Sequence, residues 1–126
     1  NLFWGFQKLW VNSWQQVNIT DRERTALDLI ARPDIFGGFS AAIEILENGI
    51  NQINVDQLVD YALKYDVGSV IKRLGWSLEN LGYAGNSLES LRVYPVKRYY
   101  LLDPGLEETS ATKNSRWHIS ENLKRS

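Results

Sequence analysis

Between Asn18 and Gly38 the chain reads "NITDRERTALDLIARPDIFGG", which sets Asp21, Glu23, Asp28 and Asp34 among Arg22, Arg24 and Arg32. Acids at this density could serve a metal-dependent nuclease. Such a centre needs two or three carboxylates converging on a divalent ion, with a Lys nearby to stabilise charge in the transition state. Asp28 or Asp34 would then work with Lys97. The expected continuation is an acid, one residue and a Lys on a strand, and "YPVKRYYLL" from Tyr94 to Leu102 supplies the Lys without the acid. Ordinary helix chemistry explains the same acids. Thr20 and Glu23 have the spacing of a capping box. Asp21 and Glu23 fall in a first helical turn, where negative charge complements free amides. Arg24 and Asp28 stand four apart and can pair along one face. The cluster is therefore read as architecture, with no catalytic residue, no metal and no cofactor expected. A nuclease-like domain, active or degenerate, is the alternative.

Other reactive constellations are sparse. The chain has no Cys, which excludes thiol nucleophiles and Cys-based zinc sites. His118 is the single histidine and reads as a surface or packed residue. There is no P-loop, dinucleotide fingerprint or Gly-x-Ser-x-Gly elbow. "FGGFS" lacks the spacing to cradle phosphates and reads as a joint between two helices. A formal net charge of −1 argues against a strongly basic nucleic-acid binder but leaves room for a local basic patch. Basic residues come in small groups: Lys72-Arg73, Lys97-Arg98, then Lys113 and Arg116, with Tyr99, Tyr100 and Trp117 beside them. If they converge they form a positive surface with aromatic neighbours, suited to a nucleic-acid backbone or a polar partner. If they do not, they are solvated charge scattered over the surface. Lys72, Arg73, Lys97, Arg98 and Arg116 are the candidate contacts.

These residues need elements to hold them. Phe3–Val11 and Trp14–Ile19 alternate as an N-terminal strand hairpin, whose aromatic Phe3, Trp4, Phe6 and Trp10 fit either a core or a protein–protein interface. Ala26, Leu27, Leu29 and Ile30 stripe a first helix stopped at Pro33, and Gly37-Gly38 permit a sharp reversal. Phe39, Ala42, Ile43 and Leu46 line a second helix, ended at Asn48-Gly49. Asn54 and Gln57 make a cap pair for a third, on Leu58, Tyr61, Ala62 and Tyr65. Val70, Ile71, Leu74 and Leu78 stripe a fourth, closed by Gly82. Gly75 inside it costs about 1 kcal/mol relative to Ala, so a close approach by another element is expected there. Asn86 and Glu89 read as caps of a short fifth helix. "YPVKRYYLL" and "RWHIS" read as strands, "DPG" as a turn and "GLEETSATKNS" as a polar mobile stretch. The expectation is a single α+β domain over residues 1–126: an N-terminal hairpin, about five helices, then C-terminal strands forming a small mixed sheet packed by helices. No stretch reaches the roughly 18 apolar residues of a membrane span. With no Cys, a cytoplasmic location is expected.

"DRERTALDLIARPDIFGGFSAAIEIL" resembles the central motif of AbiEi-type antitoxins, transcriptional regulators of type IV toxin–antitoxin systems. The residues carrying the likeness are Asp21, Glu23, Arg24, Thr25, Asp28, Gly37 and Gly38. It continues through "VDQLVDYALKYDVGSVIKRLGWSLENLG", with Arg73, Leu74 and Gly75 in the place of the family's "RLG" helix. It ends at "YYLLDPG" and "SRWHISEN", with Arg116, Trp117 and Asn122. Each motif is weak alone; their order and spacing carry the likeness from about Thr20 to Asn122. The resemblance implies a C-terminal α+β domain with antitoxin activity, normally preceded by a winged-helix domain that reads operator DNA. No winged helix is visible in this sequence. The chain also lacks Met and opens on an aromatic run, so it is expected to be the C-terminal piece of a longer regulator. By the same resemblance, DNA is a partner mainly through the preceding domain. A nucleotidyltransferase-like toxin is opposed without a stable complex.

Overall fold

The computed structural model describes residues 22–106 and 112–122; the expected N-terminal hairpin, Thr20 and Asp21 lie outside them. Helix α1, Arg22–Ala31, buries Ala26, Leu27, Leu29 and Ile30 on one side. Pro33 has no amide hydrogen, so α1 stops and a 3-10 turn follows over Pro33–Phe36. The reversal into α2, Phe39–Gly49, runs through Gly37 at φ 95° and Gly38 at φ 107°, a left-handed region that glycine enters without steric cost. Helix α3, Val55–Tyr65, is capped by Asn54, whose Oδ1 accepts the Gln57 amide at 3.0 Å, as the spacing anticipated. Helix α4 covers Gly68–Asn80 and α5 covers Asn86–Arg92.

Three short strands follow among the described residues: β1 Tyr100–Leu101, β2 Thr112–Asn114 and β3 Ile119–Glu121. Their order is β1-β3-β2, with β1 parallel and β2 antiparallel to β3. The α+β architecture, with helices in the middle and a small mixed sheet at the C-terminal end, is as expected. Details differ. "YPVKRYYLL" yields only two strand residues, because Pro95 and an irregular stretch precede Tyr100. The end of the polar stretch, Thr112–Asn114, pairs in the sheet instead of forming a loop. Asn86 is the first residue of α5, not its cap; Gly85 precedes it and Glu89 pairs with Arg92.

Helix α1 packs against α2, α3 and α4, and α4 also meets α5, β1 and β3. So α4 is the element that joins the helical layer to the sheet. The first helix therefore sets itself chiefly against other helices. The seam between α4 and the sheet is built on Gly75 and Trp117. Trp117 is fully buried, and a Cβ added at Gly75 would lie 2.0 Å from its ring. This is the close approach that a glycine inside a helix calls for. Two indoles pin the seam in opposite directions. Trp117 Nε1 donates to Glu79 of α4 at 2.7 Å, and Trp76 Nε1 of α4 donates to Glu121 of β3 at 2.7 Å.

Candidate functional site

The acids of the opening segment that the structure describes all have structural partners. Asp28 Oδ1 lies 3.2 Å from a guanidinium nitrogen of Arg24, which is buried. Burial raises the Asp28 pKa, and the Arg24 charge opposes that rise. The Glu23 carboxylate accepts the Asn54 amide at 2.7 Å, so it ties α1 to the start of α3. Asp34 is exposed and bonded to Arg32, which holds its pKa below the usual carboxylate range. Asp28 and Asp34 thus face different cations, and neither makes an ion pair with Lys97 among the described residues. No three His, Asp or Glu side chains converge among the described residues in a way that could hold a metal ion.

The five candidate cations divide sharply. Lys72 and Arg73 are buried, 1 % and 4 % exposed, so they cannot belong to a contact surface. Arg73 donates to the Ile30 carbonyl at 3.0 Å and the Leu101 carbonyl at 3.1 Å. Because α1 ends at Ala31, its last carbonyls lack helical amide partners, and Arg73 supplies one to Ile30. Its second bond holds β1. Burial pushes the Arg73 pKa down to about 10, against the pull of Asp103. Lys72 Nζ donates to the Leu91 and Arg92 carbonyls at 3.0 and 2.6 Å, at the end of α5. Burial, and then the Arg92 charge, lower its pKa. Each cation sits at the negative end of a helix, where positive charge is favoured. These two residues are corrected from binding to structural roles. The reason is visible in their apolar neighbours, Val70, Ile71 and Leu74, all buried.

Lys97 and Arg98 are exposed on the approach to β1, with no carboxylate at ion-pair distance among the described residues. Arg98 lies over the Tyr100 ring, 5.2 Å from its centroid. Lys113 lies over Tyr99 at 5.3 Å, and Arg116 over Trp117 at 5.6 Å. Arg116 is also held by Glu79 at 2.7 Å. The cations and aromatic rings near the sheet have therefore come together pairwise. Tyr99 is 37 % exposed and meets the His118 ring at 5.2 Å. His118 has φ 52°, an uncommon value outside glycine, in the turn between β2 and β3.

Charge is segregated on a larger scale. Residues 39–66 carry exposed Glu44, Glu47, Asp56, Asp60 and Asp66 against one base, Lys64. Among the described residues after α5, the carboxylates are Asp103, which is buried, and Glu121, which is bonded to Trp76 and Asn114. Among the described residues, an acidic helical region is thus set apart from a basic one at the C-terminal sheet.

Sequence reasoning missed Asp103 as more than a turn residue. Its Oδ2 accepts the Phe39 amide at 3.1 Å, capping α2 from 64 residues away, and its Oδ1 accepts the Gly105 amide at 2.9 Å. Asn122 closes the same node through bonds to the Asp103 amide and carbonyl at 2.9 Å each. "DPG" signals a turn, but nothing local signals the distant helix. An apolar groove of about 240 Å³ between α1 and α2 includes Leu29, Ile45 and Ile53 in its lining, and none of the candidate cations is part of it.

No family model, curated protein or solved structure matches the chain. No helix among the described residues is long and apolar enough to cross a membrane.

Proposed function

We propose that the chain is a non-catalytic, antitoxin-like regulatory domain of a cytoplasmic transcriptional regulator. In this reading its C-terminal basic surface supports binding to DNA. The antitoxin class rests on the sequence resemblance. The contact surface rests chiefly on one observation: Lys97 and Arg98 are exposed beside Tyr99 and Tyr100, without carboxylate partners among the described residues. Charge segregation adds to it, because an acidic region set apart from a basic one orients encounter with a polyanion. The non-catalytic part is favoured by the bonding of Asp28 to Arg24 and of Asp34 to Arg32, which gives each acid a separate structural partner.

Lys and Arg at such a surface bind phosphates and fix orientation without reading sequence. Log affinity for a fluorescein-labelled duplex should then fall with log salt. Replacing both Lys97 and Arg98 with Ala should flatten that slope by about one unit for each phosphate no longer neutralised. An unchanged slope would rule this surface out. The antitoxin assignment has its own test. Co-expression of the chain should restore growth to cells carrying a nucleotidyltransferase-like toxin, without the two proteins co-purifying. Failure to restore growth would count against the class.

A further inference from the structure

Tyr99 stands out among the aromatic residues of the basic region. Trp117 is wholly buried and Tyr100 is half-buried, whereas Tyr99 keeps 37 % of its surface exposed. It is also held in place. The His118 ring meets it at 5.2 Å with a 40° tilt, and Lys113 Nζ lies 5.3 Å from its centroid. Tyr99 immediately precedes β1, which is an edge strand whose sheet neighbour is β3. His118 precedes β3 and Lys113 lies on β2, so both supports come from the sheet. Lys113 is itself fixed by a 2.9 Å bond from Nζ to Ser120 Oγ. His118 is set by a left-handed backbone at φ 52°. A fixed, partly exposed ring flanked by cations suits a base that has left its duplex. Stacking tolerates any base, and neighbouring cations take the phosphates on either side. A base within a paired duplex offers no free face to such a ring.

We propose that Tyr99, backed by His118 and Lys113 and preceded by Lys97 and Arg98, is a stacking platform for a base of single-stranded nucleic acid. This rests on the reading that the C-terminal basic surface meets nucleic acid, and it specifies which form. The test is fluorescence anisotropy of the chain with a fluorescein-labelled oligothymidylate and with a mixed-sequence duplex of equal length. Single strand should bind more tightly than duplex. Tyr99→Ala should weaken single-strand binding by roughly 5- to 150-fold, the range for one stacked base. Tyr99→Phe, which keeps the ring, should bind within about two-fold of the parent, and circular dichroism melts should establish that both variants fold. Equal single-strand affinity of Tyr99→Ala and the parent would overturn the platform, as would an equal loss in Tyr99→Phe. Duplex binding as tight as or tighter than single-strand binding in the parent would also overturn it, while leaving the wider reading intact. Binding of neither probe would remove both.

Discussion

Lys72-Arg73 and Lys97-Arg98 are the same dipeptide in two settings. The first lies in α4 with its charged ends bonded to backbone carbonyls of α1, α5 and β1. The second lies on an irregular approach to β1, exposed and beside tyrosines. The difference teaches that a basic pair carries no function by itself. Its neighbours decide. In "SVIKRLGW" the flanking apolar residues take α4 into the core, and the two cations follow and find the unpaired ends of helices. In "YPVKRYY" Pro95 interrupts regular pairing and the cations stay in water.

The contrast can be broken hardest at the seam beside the buried pair. Trp117→Ala should cost about 3–5 kcal/mol, since it empties the volume between α4 and the sheet. Gly75→Ala drives a methyl into the same ring and should cost about 1–3 kcal/mol or more. Urea melts of both variants check this, and a Gly75→Ala protein as stable as the parent would refute the close approach.

Next in size is the buried pair itself. Lys72→Met and Arg73→Met each keep an apolar stem but strip donors from buried carbonyls, at about 1–3 kcal/mol per orphaned group. Arg73 spans two elements, so its loss should also open the Leu101 amide region to faster hydrogen exchange. Lys97→Ala and Arg98→Ala should each move stability by no more than about 0.5 kcal/mol. Equal destabilisation at the two pairs would erase the distinction between them. A comparison at one further site sharpens it. Asp103→Ala removes the distant cap of α2 and should cost about 0.5–2 kcal/mol, although Asp103 lies in what reads as a simple turn.

The smallest effect concerns pH. The Tyr94 hydroxyl donates to Asp66, and that bond raises the Tyr94 pKa above its ordinary value near 10. Stability from this bond is fully present below the unfolded tyrosine pKa and is lost as pH rises through the higher folded value. Melting temperature measured against pH should therefore fall more steeply on the alkaline limb for the parent than for Tyr94→Phe. Parallel limbs would exclude the contribution.

Much of the fold was legible because it is written in local chemistry. The apolar stripes of α1 to α4, the Asn54 cap, the stop at Pro33 and the Gly37-Gly38 reversal each depend on neighbours within a turn or two. Gly75 announced a close approach without naming Trp117. What could not be read is what spans the chain. Asp103 caps Phe39, Glu23 meets Asn54, and Arg73 links Ile30 to Leu101. Each bond depends on tertiary placement that no window of sequence contains. The candidate surface was half legible for the same reason. Both Lys-Arg pairs looked alike until burial separated them.

The central claim is that only the second pair works at the surface, and it can be measured directly. Duplex affinity should be followed against salt for the parent and for the Lys97→Ala/Arg98→Ala variant, at matched melting temperature. The slope of log affinity on log salt should drop by about two units in the variant. Superimposable salt plots for the two proteins would contradict the claim.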